Sequence, residues 1–81
     1  MLKIYRPVLQ VGTVKVIIGK EGERREMEIE VRKGEKVEDV MKKLGLIIDE
    51  FVPILNGEVV TELEELREGD TLEFVRVWSG G

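Results

Sequence analysis

Apolar and polar positions alternate along two stretches in the first half of the chain. Val14, Val16 and Ile18 are spaced by Lys15 and Ile17, and Met27, Ile29 and Val31 alternate strictly with Glu28 and Glu30. A period of two over these lengths predicts half-buried strands. Between them Gly19 to Arg24 is charged and punctuated by glycine, which predicts the loop of an antiparallel hairpin. Its width stays open, because Glu23 to Glu26 can extend either strand. After Lys33-Gly34-Glu35 the period changes. Val37, Val40, Met41 and Leu44 fall at i, i+3, i+4 and i+7, the stripe of an amphipathic helix. Glu38 and Asp39 in its first turn and Lys42 and Lys43 in its last both suit the helix dipole, and Gly45 stands where a left-handed C-cap belongs. No Ser, Thr, Asp or Asn occupies the N-cap region at Glu35 or Lys36, so that end lacks the usual side-chain acceptor. Burial of the stripe makes this helix core, and Leu44→Ala is expected to cost roughly 2 to 5 kcal/mol.

Phe51 to Leu55 is a short apolar run containing Pro53, which has no amide hydrogen and therefore marks an edge position or a strand start. Asn56-Gly57 follows, the strongest short hairpin signal in the chain, and leads into Val59 and Val60. Leu63 and Leu66, set among glutamates, fit a single helical or 3₁₀ turn. Glu68-Gly69-Asp70 forms another turn, after which Leu72 and Phe74 alternate with Glu73 in a last strand. Residues 1–12 hold Ile4, Val8, Leu9 and Val11 around Pro7 and are too apolar for a free arm; they extend the first strand or add an edge strand. The predicted order is two strands, a helix, a strand, a short strand, a short turn of helix and a strand. This is an α+β plan, a β-grasp in which one main helix packs across a mixed sheet.

Eighty-one residues, 42% of them hydrophobic, with no cysteine, allow one small domain over 1–81 that relies on a single core. No run approaches the roughly 18 apolar residues of a membrane span, and no secretory signal pattern is present, so a soluble, cytoplasmic protein without membrane partners is expected. The charged fraction of 37%, with Gln10 and Asn56 the only side-chain amides, leans towards a thermophilic source. A formal charge of -4 argues against a generic nucleic-acid binder and suits a partner with a basic face. With no histidine, no cysteine and Ser79 as the only serine, the usual nucleophile and base pairings of an enzyme are missing, and no catalytic residue is assigned. Glu28 with Glu30, and Glu62, Glu64, Glu65 and Glu68, show no convergent spacing for a cation, so no metal is expected.

The chain finishes on Trp78-Ser79-Gly80-Gly81. Glycine has no Cβ, so such a tail fits a slot too narrow for other residues. Four extended residues beyond Val77 reach roughly 13 to 14 Å, deep enough for an enclosed site in another protein. Residues 78–81 therefore read as a flexible stem carrying a carboxylate. Val75 and Val77 lie on the opposite strand face from Leu72 and Phe74, and with Trp78 and Ser79 they are candidate partner contacts.

Leu55-Asn56-Gly57-Glu58-Val59-Val60, the turn Arg67-Glu68-Gly69-Asp70 after Leu66, and a strand ending at Gly80-Gly81 together resemble the ubiquitin-like sulfur carriers of the ThiS/MoaD family. The resemblance covers roughly residues 14–81. The tail lacks the paired prolines many molybdopterin-type carriers place before the terminus, and the twelve-residue extension is atypical of the shortest carriers. What the resemblance implies is a carrier, not an enzyme, and a monomer, with no cofactor of its own. An E1-like partner adenylates the carboxylate of Gly81 using ATP, a sulfur donor protein converts it to a thiocarboxylate, and a sulfur-accepting synthase in thiamine, molybdopterin, tungstopterin or tRNA biosynthesis receives the sulfur. Gly80 and Gly81 keep the stem thin. Two other readings share these residues: a modifier joined to lysines through Gly81, and a β-grasp binding module whose Lys20, Arg24 and Arg25 touch RNA.

Overall fold

The computed structural model describes residues 11–20 and 22–77. Five strands form one mixed sheet: β1 (Val11–Lys20), β2 (Glu23–Arg32), β3 (Phe51–Leu55), β4 (Glu58–Val59) and β5 (Thr71–Arg76), in the order β2-β1-β5-β3-β4. The helix α1 (Val37–Leu44) lies between β2 and β3 in the chain. β1 runs antiparallel to β2 and parallel to β5, and β5 is antiparallel to β3. This is the expected α+β arrangement with one helix.

The β1–β2 hairpin is longer and tighter than the alternation alone indicated. Lys20 pairs with Glu23 and Gly22 takes φ 84°, so the charged residues extend the strands rather than widening the loop. Every second residue of β1 and β2 buries Val14, Val16 and Val31 against Val37, Val40 and Met41 of α1, with Leu72 and Phe74 of β5 filling the centre. Phe51 meets Phe74 edge-on, with ring centroids 6.4 Å apart. Leu44, the last position of the helical stripe, is only half-buried. Val11 and Gly12 belong to β1, so the end of the 1–12 extension continues the first strand; residues 1–10 lie outside the described residues.

The N-terminus of α1 lacks a side-chain cap, as its sequence implied, and the fold supplies backbone acceptors instead. The amides of Val37 and Glu38 donate to the carbonyls of Glu64 and Glu62, both at 2.9 Å. The amide of Leu66 in turn donates to the Glu35 carbonyl at 2.8 Å. Asp39 Oδ2 accepts from the Lys36 amide at 2.9 Å, the acidic half of a capping box. At the other end Gly45 takes φ 72°, and the Leu46 amide reaches the Met41 carbonyl at 2.9 Å, which closes the helix in the left-handed manner.

These bonds explain one departure from the sequence pattern. Leu63 and Leu66 form no helical turn, because Glu62 and Glu64 turn their carbonyls to α1 instead of to their own segment. Leu66 is buried and Leu63 exposed. The single 3₁₀ turn of the chain's described part is Ile48–Glu50, where it steers the chain from α1 so that Phe51 enters the core. Pro53 sits inside β3, yet breaks nothing. Its carbonyl accepts from Val60 at 3.1 Å on the β4 side, and in an antiparallel strand a residue's amide points the same way as its carbonyl. The missing N–H therefore faces the side where β4 has ended, which satisfies the edge condition.

Phe74→Ala is expected to lower stability by about 3 to 5 kcal/mol, and Leu44→Ala by about 2 kcal/mol because Leu44 is partly exposed; urea unfolding midpoints measure both. Glu35 gives a pH dependence. Partial burial pushes its carboxyl up, but the Arg32 amide at 2.6 Å and the Lys43 ammonium at 3.0 Å together outweigh this and hold it below the ordinary value of 4.5. The stabilisation is full above the ordinary value and lost as pH falls through the lowered folded one. Glu35→Gln is expected to melt lower than wild type at pH 7, with the difference closing on acidification below about pH 4.

Candidate functional site

The end of β5 is the place to which the sequence assigns function. Its root is fixed by a set of short bonds between two turns. Asn56 and Gly57 take φ 51° and 89°, the paired left-handed angles of a two-residue hairpin turn. Asn56 Oδ1 accepts from the Thr71 amide at 2.9 Å, and Asn56 Nδ2 donates to Asp70 Oδ1 at 3.0 Å. The other Asp70 oxygen accepts from the Arg67 amide at 2.8 Å. The Asp70 carbonyl accepts from Lys15 and the Thr13 carbonyl from Gly69, both at 3.0 Å, which seats the turn beside β1. Gly12 permits that approach, since a Cβ there would lie 2.6 Å from Glu68 Cβ. The motifs at residues 55–60 and 67–70, separate in the chain, are thus one structural joint.

From this joint β5 runs through the sheet centre, with Leu72 and Phe74 fully buried. At its far end the Val77 amide donates to the Glu50 carbonyl at 2.9 Å, and Arg76 lies 3.6 Å from the Glu50 carboxylate. That bond is the last anchor of the described chain. Trp78, Ser79, Gly80 and Gly81 lie outside the described residues.

Val75 lies on the face away from α1, as its alternation with Phe74 required. It is half-buried, and Val77, one step past the strand, is 37% exposed. The structure adds residues that alternation did not single out. Val52 pairs with Val75, Ile54 pairs with both Glu73 and Val59, and Ile17 pairs with Glu73. Ile17, Val52, Ile54, Val59 and Val75 therefore share the outer face. Ile17 is 6% exposed although it belongs to no part of the helix-facing core, whereas Val59 is 71% exposed. The signal was present in the unbroken runs Val16-Ile17-Ile18 and Phe51 to Leu55, since strands apolar on both faces are those with two covered faces. Among the described residues no group of carboxylates has the arrangement of a metal site, and no helix is long and apolar enough to cross a membrane.

The sequence matches the model of the ThiS family over residues 14–81. The chain belongs to the ThiS family. It is 37% identical over 54 residues to the sulfur carrier protein TtuB of Thermus thermophilus, an overlap of 67% of this chain and 83% of that protein. Its fold is similar to a Pyrococcus furiosus chain described as molybdopterin converting factor subunit 1, with a TM-score of 0.66, 22% identity and coverage of 80% of this chain and 97% of that one. A Caldiarchaeum subterraneum ubiquitin gives a TM-score of 0.67 at 20% identity, covering 88% and 99%. The two solved structures establish the ubiquitin-like β-grasp fold, and the family match with the TtuB relative establishes a sulfur carrier of the ThiS/MoaD type. Such proteins are small carriers, not enzymes. The charged, amide-poor composition fits a relative from a thermophile.

Asp70→Ala removes the acceptor of Arg67 and the partner of Asn56. It is expected to destabilise the domain by about 1 to 3 kcal/mol, read from urea unfolding followed by far-ultraviolet circular dichroism.

Proposed function

We propose that this ThiS-family sulfur carrier presents the carboxylate of Gly81 to an E1-like enzyme for activation. A carboxylate oxygen of Gly81 attacks the α-phosphorus of ATP in the partner's site, and pyrophosphate leaves. The terminal sulfur of a persulfide on a sulfur donor protein then attacks the acyl carbon, and AMP departs with the electron pair of the broken C–O bond. A thiol next attacks the donor-side sulfur of the acyl disulfide, so that a new disulfide forms and the thiocarboxylate leaves with the electrons of the S–S bond. The thiocarboxylate is the nucleophile passed to a sulfur-accepting synthase of cofactor or tRNA biosynthesis, by the same logic that makes a thiolate more reactive than a thiol.

The observation that carries this reading is the family match through residues 14–81, which includes Gly80-Gly81, in a chain without histidine or cysteine. Such a chain supplies a handle rather than a catalyst. The structure supports it by geometry: β5 is held rigidly up to the Val77–Glu50 bond, so the residues beyond it leave from a defined point. The apolar outer face, with Val75 and Val77 beside Val52, Ile54 and Val59, is the surface against which the adenylating partner seats while it takes the stem. Buried apolar anchors beside a polar rim are where binding energy concentrates. Trp78 and Ser79 extend that contact into the partner's entrance.

Intact mass spectrometry of the protein purified from its native host tests the reading. An oxygen-to-sulfur mass increment located at Gly81 is the expected result; conjugates of higher mass that disappear in protein lacking Gly81 would instead mark a modifier. Deletion of Gly80 and Gly81 is expected to abolish ATP–pyrophosphate exchange by the partner while leaving Tm nearly unchanged. Val59→Asp and Val77→Asp are expected to weaken binding to the adenylating enzyme by about tenfold or more, a loss near 1.4 kcal/mol, without altering Tm.

A further inference from the structure

β2 forms one edge of the sheet and, among the described residues, pairs with β1 alone. In an antiparallel strand alternate residues turn both the amide and the carbonyl away from the neighbouring strand. Arg32 fixes which residues these are. Its amide donates to Glu35 Oε1 at 2.6 Å and its carbonyl accepts from the Glu35 amide at 3.0 Å, so both groups face away from β1. At steps of two, Glu30, Glu28, Glu26 and Arg24 face the same way, because the register is continuous.

One end of this edge is stoppered. Lys43 Nζ donates to the Glu30 carbonyl at 3.2 Å and pairs with Glu35 at 3.0 Å, so an ion pair between α1 and the turn that precedes it covers the last two outward-facing residues. Towards the hairpin, Glu28, Glu26 and Arg24 have no such bonds among the described residues. Their side chains form a row on the outer face. Glu26 lies 3.9 Å from Lys15 and 3.7 Å from Arg24, while Glu28 and Glu30 have no ion-pair partner among the described residues. On the other face Met27 and Ile29 are half-buried at the margin of the core.

We propose that the β2 edge between Arg24 and Glu30 docks an extended segment of a partner protein in which basic and apolar residues alternate. Main-chain bonds to the open groups supply the attachment, as in strand addition. Basic side chains lie against Glu28 and Glu30, and the alternate apolar ones complete the cover of Met27 and Ile29. A second copy of this chain paired about Glu28 is disfavoured by charge. A two-fold pairing of β2 edges centred on Glu28 sets Glu28 against Glu28 and Glu26 against Glu30, and like charges directly opposite destabilise a sheet. β5 lies two strands away, about 10 Å, so a segment held on this edge leaves the end of β5 open to another protein.

Isotope-labelled full-length protein titrated with a capped Lys-Val-Lys-Thr-Lys-Val peptide tests the proposal. Expected are intermolecular contacts and slowed amide exchange confined to Arg24, Glu26 and Glu28. A Glu28→Lys/Glu30→Lys double variant should bind that peptide at least about tenfold more weakly and prefer Glu-Val-Glu-Thr-Glu-Val, a charge-swap rescue that partial unfolding cannot produce. Equal binding of a peptide with its lysines and valines in separate blocks would overturn the proposal, as would contacts on Ile54 and Val75 instead. Binding seen only after removal of residues 1–10, or dimers through β2 by sedimentation and cross-strand contacts, would assign the edge to this chain's own segment or to a second copy.

Discussion

The N-terminus of α1 is satisfied by carbonyls from a loop that follows it by about two dozen residues in the chain, and the rest of the molecule depends on that exchange. Glu62 and Glu64 cap the helix, Leu66 bonds back to Glu35, and Leu66 itself is buried. A loop bound in this way cannot wander, although it has no helix or strand of its own. It delivers Asp70 to Lys15 and so starts β5 beside β1. The capping that most helices obtain from one Ser or Asp is here a tertiary contact, which couples helix formation to closure of the sheet.

That coupling also explains what could be read in the sequence. α1, both hairpins and the fate of Leu72 and Phe74 were legible because each depends on local periodicity or on one turn, such as Asn56-Gly57. Val37 and Val40 at helical spacing leave no alternative, and the glycine at position 45 ends the stripe where it should. The segment from Thr61 to Asp70 was not legible in the same way. Leu63 and Leu66 at a spacing of three look helical, but long-range acceptors on α1 decide where the backbone groups of this segment go. The hairpin turn was narrower than its charged residues implied, because charge at the end of an exposed edge strand is no obstacle to pairing.

The outer face shows the same division. Val75 was recognisable from alternation with Phe74, yet the apolar surface to which it belongs needs the register of three strands. Ile17 is the clearest case. It sits one residue from Val16 and Ile18, breaks the polar alternation of β1, and is nearly as buried as Val16 and more buried than Ile18, on the other face. Strand β1 has neighbours on both sides and β5 beside it carries Glu73 and Val75 outward, so Ile17 is covered by side chains rather than by a helix. β2, one strand further out, carries glutamates on the same face. Within one sheet the surface thus passes from apolar at its β5 and β3 strands to acidic at its β2 edge, and partners of different chemistry can be told apart by where they land.

The sheet order has a temporal meaning. β1 with β2 and β3 with β4 are hairpins that, among the described residues, are joined in the sheet only through β5, which lies between them. Non-local pairings of this kind are slow to form. During synthesis the two halves remain unzipped until Thr71 to Arg76 have left the ribosome, and chains broken off earlier have no central strand and no Leu72 or Phe74 to bring the halves together. Folding of the sheet is thereby all-or-none: without β5 the molecule has two hairpins and no strand to join them.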